Sequence, residues 1–314
     1  MTTTHMLAIR PATRDDAQAI ANVVIATELI ETGVVDTVPE DLLEWWDDET
    51  VDLANNTRVL ITPEDTIIGY AGLSQDSHGF GLDPHTHVHP DYQQRNLEHF
   101  LLQLIEEQAR HMLEQSSIPP VIHATSFHPT WTEVLKQEGY SITSSDIRME
   151  IKLNEAPPAP LSIPAIAIRP YQPGKEELAI HAVIQEAFQD IGGRPYIPFE
   201  DWEVGTLQRS SFDPSLLYVA VEGDTIFGAI ICRSFPEALD VPQGHISQLG
   251  VLRPWRKRGI ALQLLYTVFG EYYQRGLTHL ILDVDTHNTS GAHQLYQRAG
   301  LRKQTQVDNL QKTL

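Results

Sequence analysis

Apolar and polar positions follow two rhythms along this chain, and the same succession of rhythms occurs twice. In "LAIRPATRDDAQAIANVVIA" a short apolar alternation stops at Arg10-Pro11. Apolar residues then recur every three or four positions, which predicts a strand feeding an amphipathic helix. "RVLITPEDTIIGYAGL" reads as two strands parted by a tight acidic turn at Asp65-Thr66. A strand running into a helix follows in "THVHPDYQQRNLEHFLLQLIEEQAR", then a strand, a short helix and a Gly-aromatic stop in "VIHATSFHPTWTEVLKQEGY".

The second half repeats this order with "IAIRPYQPGKEELAIHAVIQEA", "LLYVAVEGDTIFGAII", "LGVLRPWRKRGIALQLLYTVFGEYYQRG" and "LILDVDTHNTSGAHQLYQRAGL". Arg169 and Asp224 each stand 159 positions after their counterparts Arg10 and Asp65. So long a period marks a duplicated domain rather than a solenoid. The predicted fold class is α+β, two tandem units that are each a mixed twisted sheet flanked by helices. "NEAPPAPLSIPA" (154–165) is proline-rich and aperiodic, and reads as an extended, semi-stiff linker. The expected division is therefore 1–155, a linker at 156–165, and 166–314.

Composition narrows the function. The chain has 314 residues, 41% hydrophobic and 20% charged, enough for two ordinary cores. Its net charge of −20 is uneven: residues 1–155 hold 8 Lys+Arg against 26 Asp+Glu, and the remainder 14 against 16. Acidity of this kind disfavours nucleic acid as a partner. No apolar run approaches the ~18 residues that cross a bilayer, so no membrane partner is expected. "MTTTHMLAIRPATRDD" lacks a basic stretch followed by an apolar one, and the single cysteine, Cys232, excludes an intrachain disulfide framework. A cytoplasmic protein is expected, with Cys232 in "TIFGAIICRSF" a buried small hydrophobe.

The second copy carries the candidate chemistry. "VLRPWRKRGIA" gathers Arg253, Arg256, Lys257 and Arg258 where a strand gives way to a helix. Unpaired N–H groups and the helix dipole favour an anion at that point, which makes basic side chains there sensible only alongside a bound anion. Gly259 and Ala261 are small enough for close backbone approach. The spacing Arg256-x-x-Gly259-x-Ala261, with "VDTHNTSGAHQLYQRAGL" some thirty residues on, resembles the GCN5-related N-acetyltransferase (GNAT) superfamily over 166–314 and, in altered form, 7–153.

That resemblance implies acetyl-CoA as co-substrate. Its pyrophosphate would meet the N–H groups of Lys257, Arg258, Gly259, Ile260 and Ala261, with Arg256 also at the cofactor, and its pantetheine the strand around Leu249 and Val251. It also implies direct acyl transfer in a ternary complex, with Tyr296 protonating the departing sulfur and Asn288 orienting cofactor and helix. Asn288 has a second reading as a helix N-cap, and Tyr296 as a packed core residue. Many relatives carry a carboxylate on the strand before the loop. "GHISQLGV" has none, which leaves His245 as the candidate general base, with a surface-edge histidine as the other reading. Asp283 and Asp285 alternate on one strand face, where they either anchor an acceptor or face solvent.

In the first copy the aligned loop reads "HPDYQQRNLEHF", with Gln93, Asn96 and Glu98 standing at the positions of Arg256, Gly259 and Ala261. Leu135 and Phe127 take the places of Tyr296 and Asn288, so this copy is expected not to catalyse. Trp45 and Trp46 in "DTVPEDLLEWWDDETVD" read as core, and as an amine-attracting lip only secondarily. His85, His87 and His89 would share a strand face but have no evident fourth ligand, so no metal site is expected. The expected function is N-acetylation of a small primary amine. By the tandem layout, which resembles mycothiol synthases, the acceptor would be the cysteinyl amine of a pseudodisaccharide. The alternative is a catalytically weak acetyl-CoA-binding sensor.

Overall fold

The computed structural model describes the chain except residues 1–6, 32, 34, 36, 38, 48–50, 77–78, 83–85, 114–120, 190–195, 210–211, 236–242 and 287–290. It forms two compact units, one of residues 1–145 with 305–314, the other of 146–304. The sequence repeat predicts a linear cut at 155 and 166, whereas the units exchange their ends.

The first unit contains β1 (Ala8–Arg10), α1 (Ala17–Glu31), α2 (Pro39–Trp46), α3 (Leu53–Asn56), β2 (Thr57–Ile61), β3 (Ile67–Asp76), β4 (Gly79–Leu82), β5 (His87–Val88), α4 (Leu97–Leu113), β6 (Val121–Ser126), α5 (Pro129–Gln137) and the start of β7 (Ser141–Lys152). The second contains β8 (Ala167–Pro170), α6 (Glu177–Phe188), α7 (Phe199–Thr206), β9 (Phe212–Glu222), β10 (Thr225–Phe235), β11 (Gln243–Val251), α8 (Ile260–Gln274), β12 (His279–Asp285), α9 (Ala292–Ala299) and the start of β13 (Arg302–Thr313). The strands β8-β9-β10-β11-β12 lie in that order, antiparallel except for the parallel pair β11–β12. In the first unit β1-β2-β3-β4-β6 repeats the plan, with β4–β6 as the parallel pair.

The exchange follows from what the two twelve-residue strands carry. Residues 146–152 of β7 pair antiparallel with β12 from Asp285↔Asp146 to His279↔Lys152, and Met149 enters the second unit's core. Residues 308–313 of β13 pair with β6 in the first unit, and Leu310 enters that core. Lys312 donates to both carboxylate oxygens of Glu106 on α4, at 2.7 and 2.6 Å. Glu106 is almost fully buried, so that ammonium answers a charge that water cannot reach. The proline-rich stretch is no free spacer either. Leu161 N–H donates to Gln263 Oε1 on α8, and Ile163 and Ile166 pack on the second unit's core.

Arg10 and Arg169 do one job twice. Arg10 grips Asp16 through two nitrogens (2.6 and 2.8 Å) and donates to the Pro11 carbonyl; Arg169 grips Glu176 (2.6 and 3.0 Å) and donates to the Pro170 carbonyl. Each carboxylate also accepts a backbone N–H, from Thr13 or Gln172, at 2.7 Å. The Arg-Pro repeat thus fixes how the first strand hands over to the first helix.

In the second unit α6 and α8 press on β11 from opposite faces. A Cβ on Gly250 would lie 2.9 Å from that of Ala187, and one on Gly244 would enter the Tyr272 ring. Both helices therefore sit unusually close to this strand. Cys232 is completely buried beside Tyr272, and burial pushes its thiol well up, so it is an inert core residue.

Two outcomes are expected. Hydrogen bonds from Arg10 and Thr13 hold the Asp16 carboxyl down to about 2. The clamp therefore contributes its full stability above the unfolded carboxylate's value, near pH 4, and that contribution fades as pH falls towards 2. Acid titrations of wild type and Asp16→Asn should differ in stability at pH 6 and converge at pH 2. Lys312→Met should lower stability in urea melts by about 2 kcal/mol, the usual worth of a hydrogen bond to a charged group, since Arg110 still holds one oxygen of Glu106, with Lys312→Arg retaining most of it.

Candidate active site

The second unit's site begins with two strands that part. The parallel ladder between β11 and β12 runs from Gln243↔His279 to His245↔Ile281. Beyond it β11 stays on β10 as far as Val251↔Gly228, and β12 stays on β7 as far as Asp285↔Asp146. Among the described residues, the edge of β11 from Ile246 to Val251 has no strand on its β12 side. The register between β10 and β11 slips where Ile231↔Gln248 is followed by Cys232↔Ile246, which leaves Ser247 in a bulge at the point of parting. A wedge with exposed strand edges is thus open beside a locally twisted segment.

The basic loop closes one end of the wedge. A single helical turn at Arg253–Trp255 follows β11, and Trp255 stacks on Phe227 of β10 at 4.8 Å with rings 2° from parallel. Lys257 and Gly259 are left-handed (φ 62° and 82°), and the first bond of α8 runs from Gln263 N–H to Gly259 C=O at 3.1 Å. The N–H groups ahead of it therefore point out of the helix, as an anion site requires. A Cβ on Gly259 would meet no protein atom within 4 Å, so the space beside it is open to a ligand.

The predicted cofactor residues divide here. Lys257, Arg258 and Gly259 are exposed at the mouth, whereas Ile260 buries its side chain and offers only its backbone. Arg256 turns inward: Nε donates to the Val251 carbonyl at 2.8 Å and Nη2 to the Ala187 carbonyl at 3.2 Å. Its guanidinium ties β11 and α6 to the loop, and the Val251 carbonyl is already taken. Leu249 pairs with Ile230 and is half-buried against the core. Asn288 lies outside the described residues.

His245 lies on the wedge floor, half-buried, with Nε2 3.8 Å from Asp283 Oδ2 and Nδ1 3.5 Å from Ser247 Oγ. Asp283 accepts from Arg148 Nε (2.9 Å) and Nη2 (3.0 Å), which with His245 hold its carboxyl far below the usual range despite desolvation. His245 stands between β10 and β12 rather than at a sheet edge, and Asp283 is solvent-exposed while gripped by Arg148. Sequence reasoning missed Arg148, because its β-strand belongs to the first repeat. The buried face of "SDIRMEIK", with an arginine among its aliphatics, was the available signal. Tyr296 is buried in the same core cluster as Val251, Ile260 and Val284, and burial pushes its phenol up to about 12.

A wall of aromatics stands over the same sheet face. His181 on α6 packs against Tyr196, Phe199 and Trp202 with ring centroids 5.3–5.8 Å apart. Trp202 Nε1–H donates to Gln248 Oε1 at 3.1 Å, joining α7 to the strand beside the bulge. A cavity of about 50 Å³ lies there between Ile184, Phe188, Ile197, Trp202 and Gln248.

Residues 179–301 match the model of the acetyltransferase (GNAT) family. That match falls within the second unit, on the residues that build the wedge and the helix mouth. The chain is 29% identical over 160 residues to mycothiol acetyltransferase of Thermobispora bispora, covering 50% of this chain and 54% of that protein. It is 28% identical over 87 residues to N-alpha-acetyltransferase 30 of Schizosaccharomyces pombe, covering 28% and 57%. The chain thus matches little more than half the length of these curated relatives. The crystal structure of a GCN5-related N-acetyltransferase from Sphaerobacter thermophilus superimposes with a TM-score of 0.77 at 29% identity, covering 98% of this chain and 95% of that one. A tandem GNAT protein from the clavulanic acid biosynthesis pathway, at 11% identity and a TM-score of 0.75, shares the fold over 98% of both chains.

The corresponding mouth of the first unit is built differently. Asn96 adopts the left-handed conformation of Gly259 (φ 55°), one that asparagine tolerates, and α4 begins directly after it. Glu98 then stands half-buried in the first turn. Burial pushes Glu98 up, and burial with the Glu98 charge pushes Glu31, at the end of α1, up to about 7. Leu135 fills the core position that Tyr296 holds in the other unit, and Trp46 is core, as its sequence suggested. His85 lies outside the described residues, while His89 caps a short turn by accepting from the Asp91 N–H.

A carboxyl raised in the folded state weakens folding as pH climbs. Glu31 costs nothing below the unfolded value near 4.5, and its cost grows until about pH 7. Glu31→Gln should therefore stabilise the chain at pH 8 and be neutral at pH 4, as read from urea midpoints at each pH.

Proposed function

We propose that this chain is an acetyl-CoA-dependent N-acetyltransferase acting on a small primary amine, by direct transfer in a ternary complex held by the second unit. The observation that carries this reading is the wedge between β11 and β12, closed at one end by a helix mouth with left-handed Lys257 and Gly259. Acetyl-CoA supplies the acyl group as a thioester. The N–H groups from Lys257 to Ala261 would hold its diphosphate, with Lys257 and Arg258 adding charge, and the open edge around Leu249 would take the pantetheine.

The residues' tasks follow from their surroundings. An amine must lose a proton before it attacks, and His245 is the base placed on the wedge floor. Tyr296, with its phenol raised to about 12, stays protonated at neutral pH and can donate to the departing sulfur. N–H groups at the Ser247 bulge are suited to polarising the carbonyl. The wall of Trp202 and Gln248 bounds the acceptor side. The tandem layout and the similarity to mycothiol acetyltransferase support a cysteinyl amine on a pseudodisaccharide as acceptor. A net charge of −20 argues against nucleic acid, and the buried, unreactive Cys232 suits a reducing compartment.

Calorimetry with acetyl-CoA, alongside thiol release over a panel of cysteinyl sugars, polyamines, aminoglycosides and peptide N-termini, tests this. Wild type should bind acetyl-CoA and turn over at least one amine. Gly259→Val, which puts a side chain into the mouth on a left-handed backbone, should weaken acetyl-CoA at least about tenfold. Tyr296→Phe should keep that affinity and lose about 10²-fold in kcat. Tight binding without turnover, unchanged by Tyr296→Phe, would make the chain a sensor. No binding at all would end the proposal.

A further inference from the structure

The sheet face that floors the wedge carries a row of ionisable side chains from four strands. Arg233 on β10 is the cross-strand partner of His245; Asp283 and Asp285 come from β12, and Asp146, Arg148 and Glu150 from β7. Within this row the Arg148 side chain is only 5% exposed, against 31% for Asp283 and 22% for His245. We infer that Arg148 is a positioning residue for proton transfer: its two-point grip on Asp283 fixes the carboxylate that orients His245 as the base. This rests on the acetyl-transfer reading above.

The geometry gives each atom a task. Arg148 Nε and Nη2 each take one oxygen of Asp283, so the carboxylate cannot rotate. Its Oδ2 faces His245 Nε2, which favours the N–H tautomer at that nitrogen and leaves Nδ1 as the accepting nitrogen. Nδ1 faces the Ser247 hydroxyl, in the bulge where the strands part. In the step itself one proton passes from the acceptor's ammonium to Nδ1. A neutral amine and an imidazolium result, and Asp283 partners the new charge. No bond to carbon changes.

A merely structural role for the pair is a poor account. β7 and β12 already share a ladder from His279↔Lys152 to Asp285↔Asp146, with His279 and Glu150 bonded across it at 2.8 Å. Burying a guanidinium costs desolvation that such a ladder does not need offset. Arg148 also tunes as well as holds, because its charge masks that of Asp283 from His245. Removing Arg148 should favour the imidazolium, and removing the Asp283 charge should disfavour it.

The test follows ring nitrogens of His245 by NMR through a pH titration of the full chain, beside the acidic limb of kcat/KM, for wild type and three variants. Asp283→Asn should move both midpoints down by roughly one pH unit and Arg148→Met up by a similar amount, while Arg148→Lys stays near wild type. If Arg148→Met fails to fold, the Asp283→Asn shift and the Arg148→Lys recovery decide. Midpoints that coincide in all folded variants, with only melting temperatures changed, would overturn the inference. NMR midpoints that move as expected while no amine is turned over would sustain the orientation of His245 and overturn acetyl transfer instead.

Discussion

The second unit depends on a single divergence: after His245 and Ile281, two parallel strands cease to pair. A strand edge without a partner costs backbone hydrogen bonds unless something else meets them. β11 and β12 bear this because each remains bonded on its far side, to β10 and to β7. The glycines at 244 and 250 let α8 and α6 press on β11 from both faces, so the diverging strand is packed on both sides although its edge is open. The open edge leads to a helix mouth whose first N–H groups make no bond within the helix.

The same divergence explains why the strand exchange matters for chemistry. β12 can leave β11 only because residues 146–152 support its other edge, and those residues come from the first repeat. They bring Arg148 with them. A second repeat cut out along the sequence boundary would lose the support of β12 and the partner of Asp283 together. The first repeat therefore contributes a strand, and with it Arg148, to the second unit.

The sequence displayed the duplication, the element order and the helix mouth because each has a local signature. Arg-Pro before a helix, an acidic two-residue turn and Gly259 before an apolar helix all act within a few residues of themselves. The clamps at Arg10 and Arg169 show the same locality, since their carboxylates lie six and seven positions on. Features that depend on distant pairing were hidden. The exchanged ends of β7 and β13 obey the same apolar alternation whichever sheet they join, so no periodicity could place the boundary. Arg256 looked like an anion ligand by its charge, yet two backbone carbonyls claim it. Arg148 and Asp283 lie 135 positions apart and meet only through the sheet register.

The two mouths, finally, are one backbone solution with opposite electrostatics. Asn96 keeps the left-handed turn that Gly259 makes, so the loop of the first unit retains its shape without needing glycine. What changes is the occupant of the helix N-terminus. In the second unit the exposed Lys257 and Arg258 raise the potential there and leave room for an external anion. In the first, Glu98 brings its own negative charge into the first turn, close enough to Glu31 to push that carboxyl up to about 7. Two half-buried carboxyls that repel each other thus stand in the first unit, whereas the second presents exposed basic side chains. The two mouths therefore share a left-handed entry to the helix and differ in the charge that stands beside it.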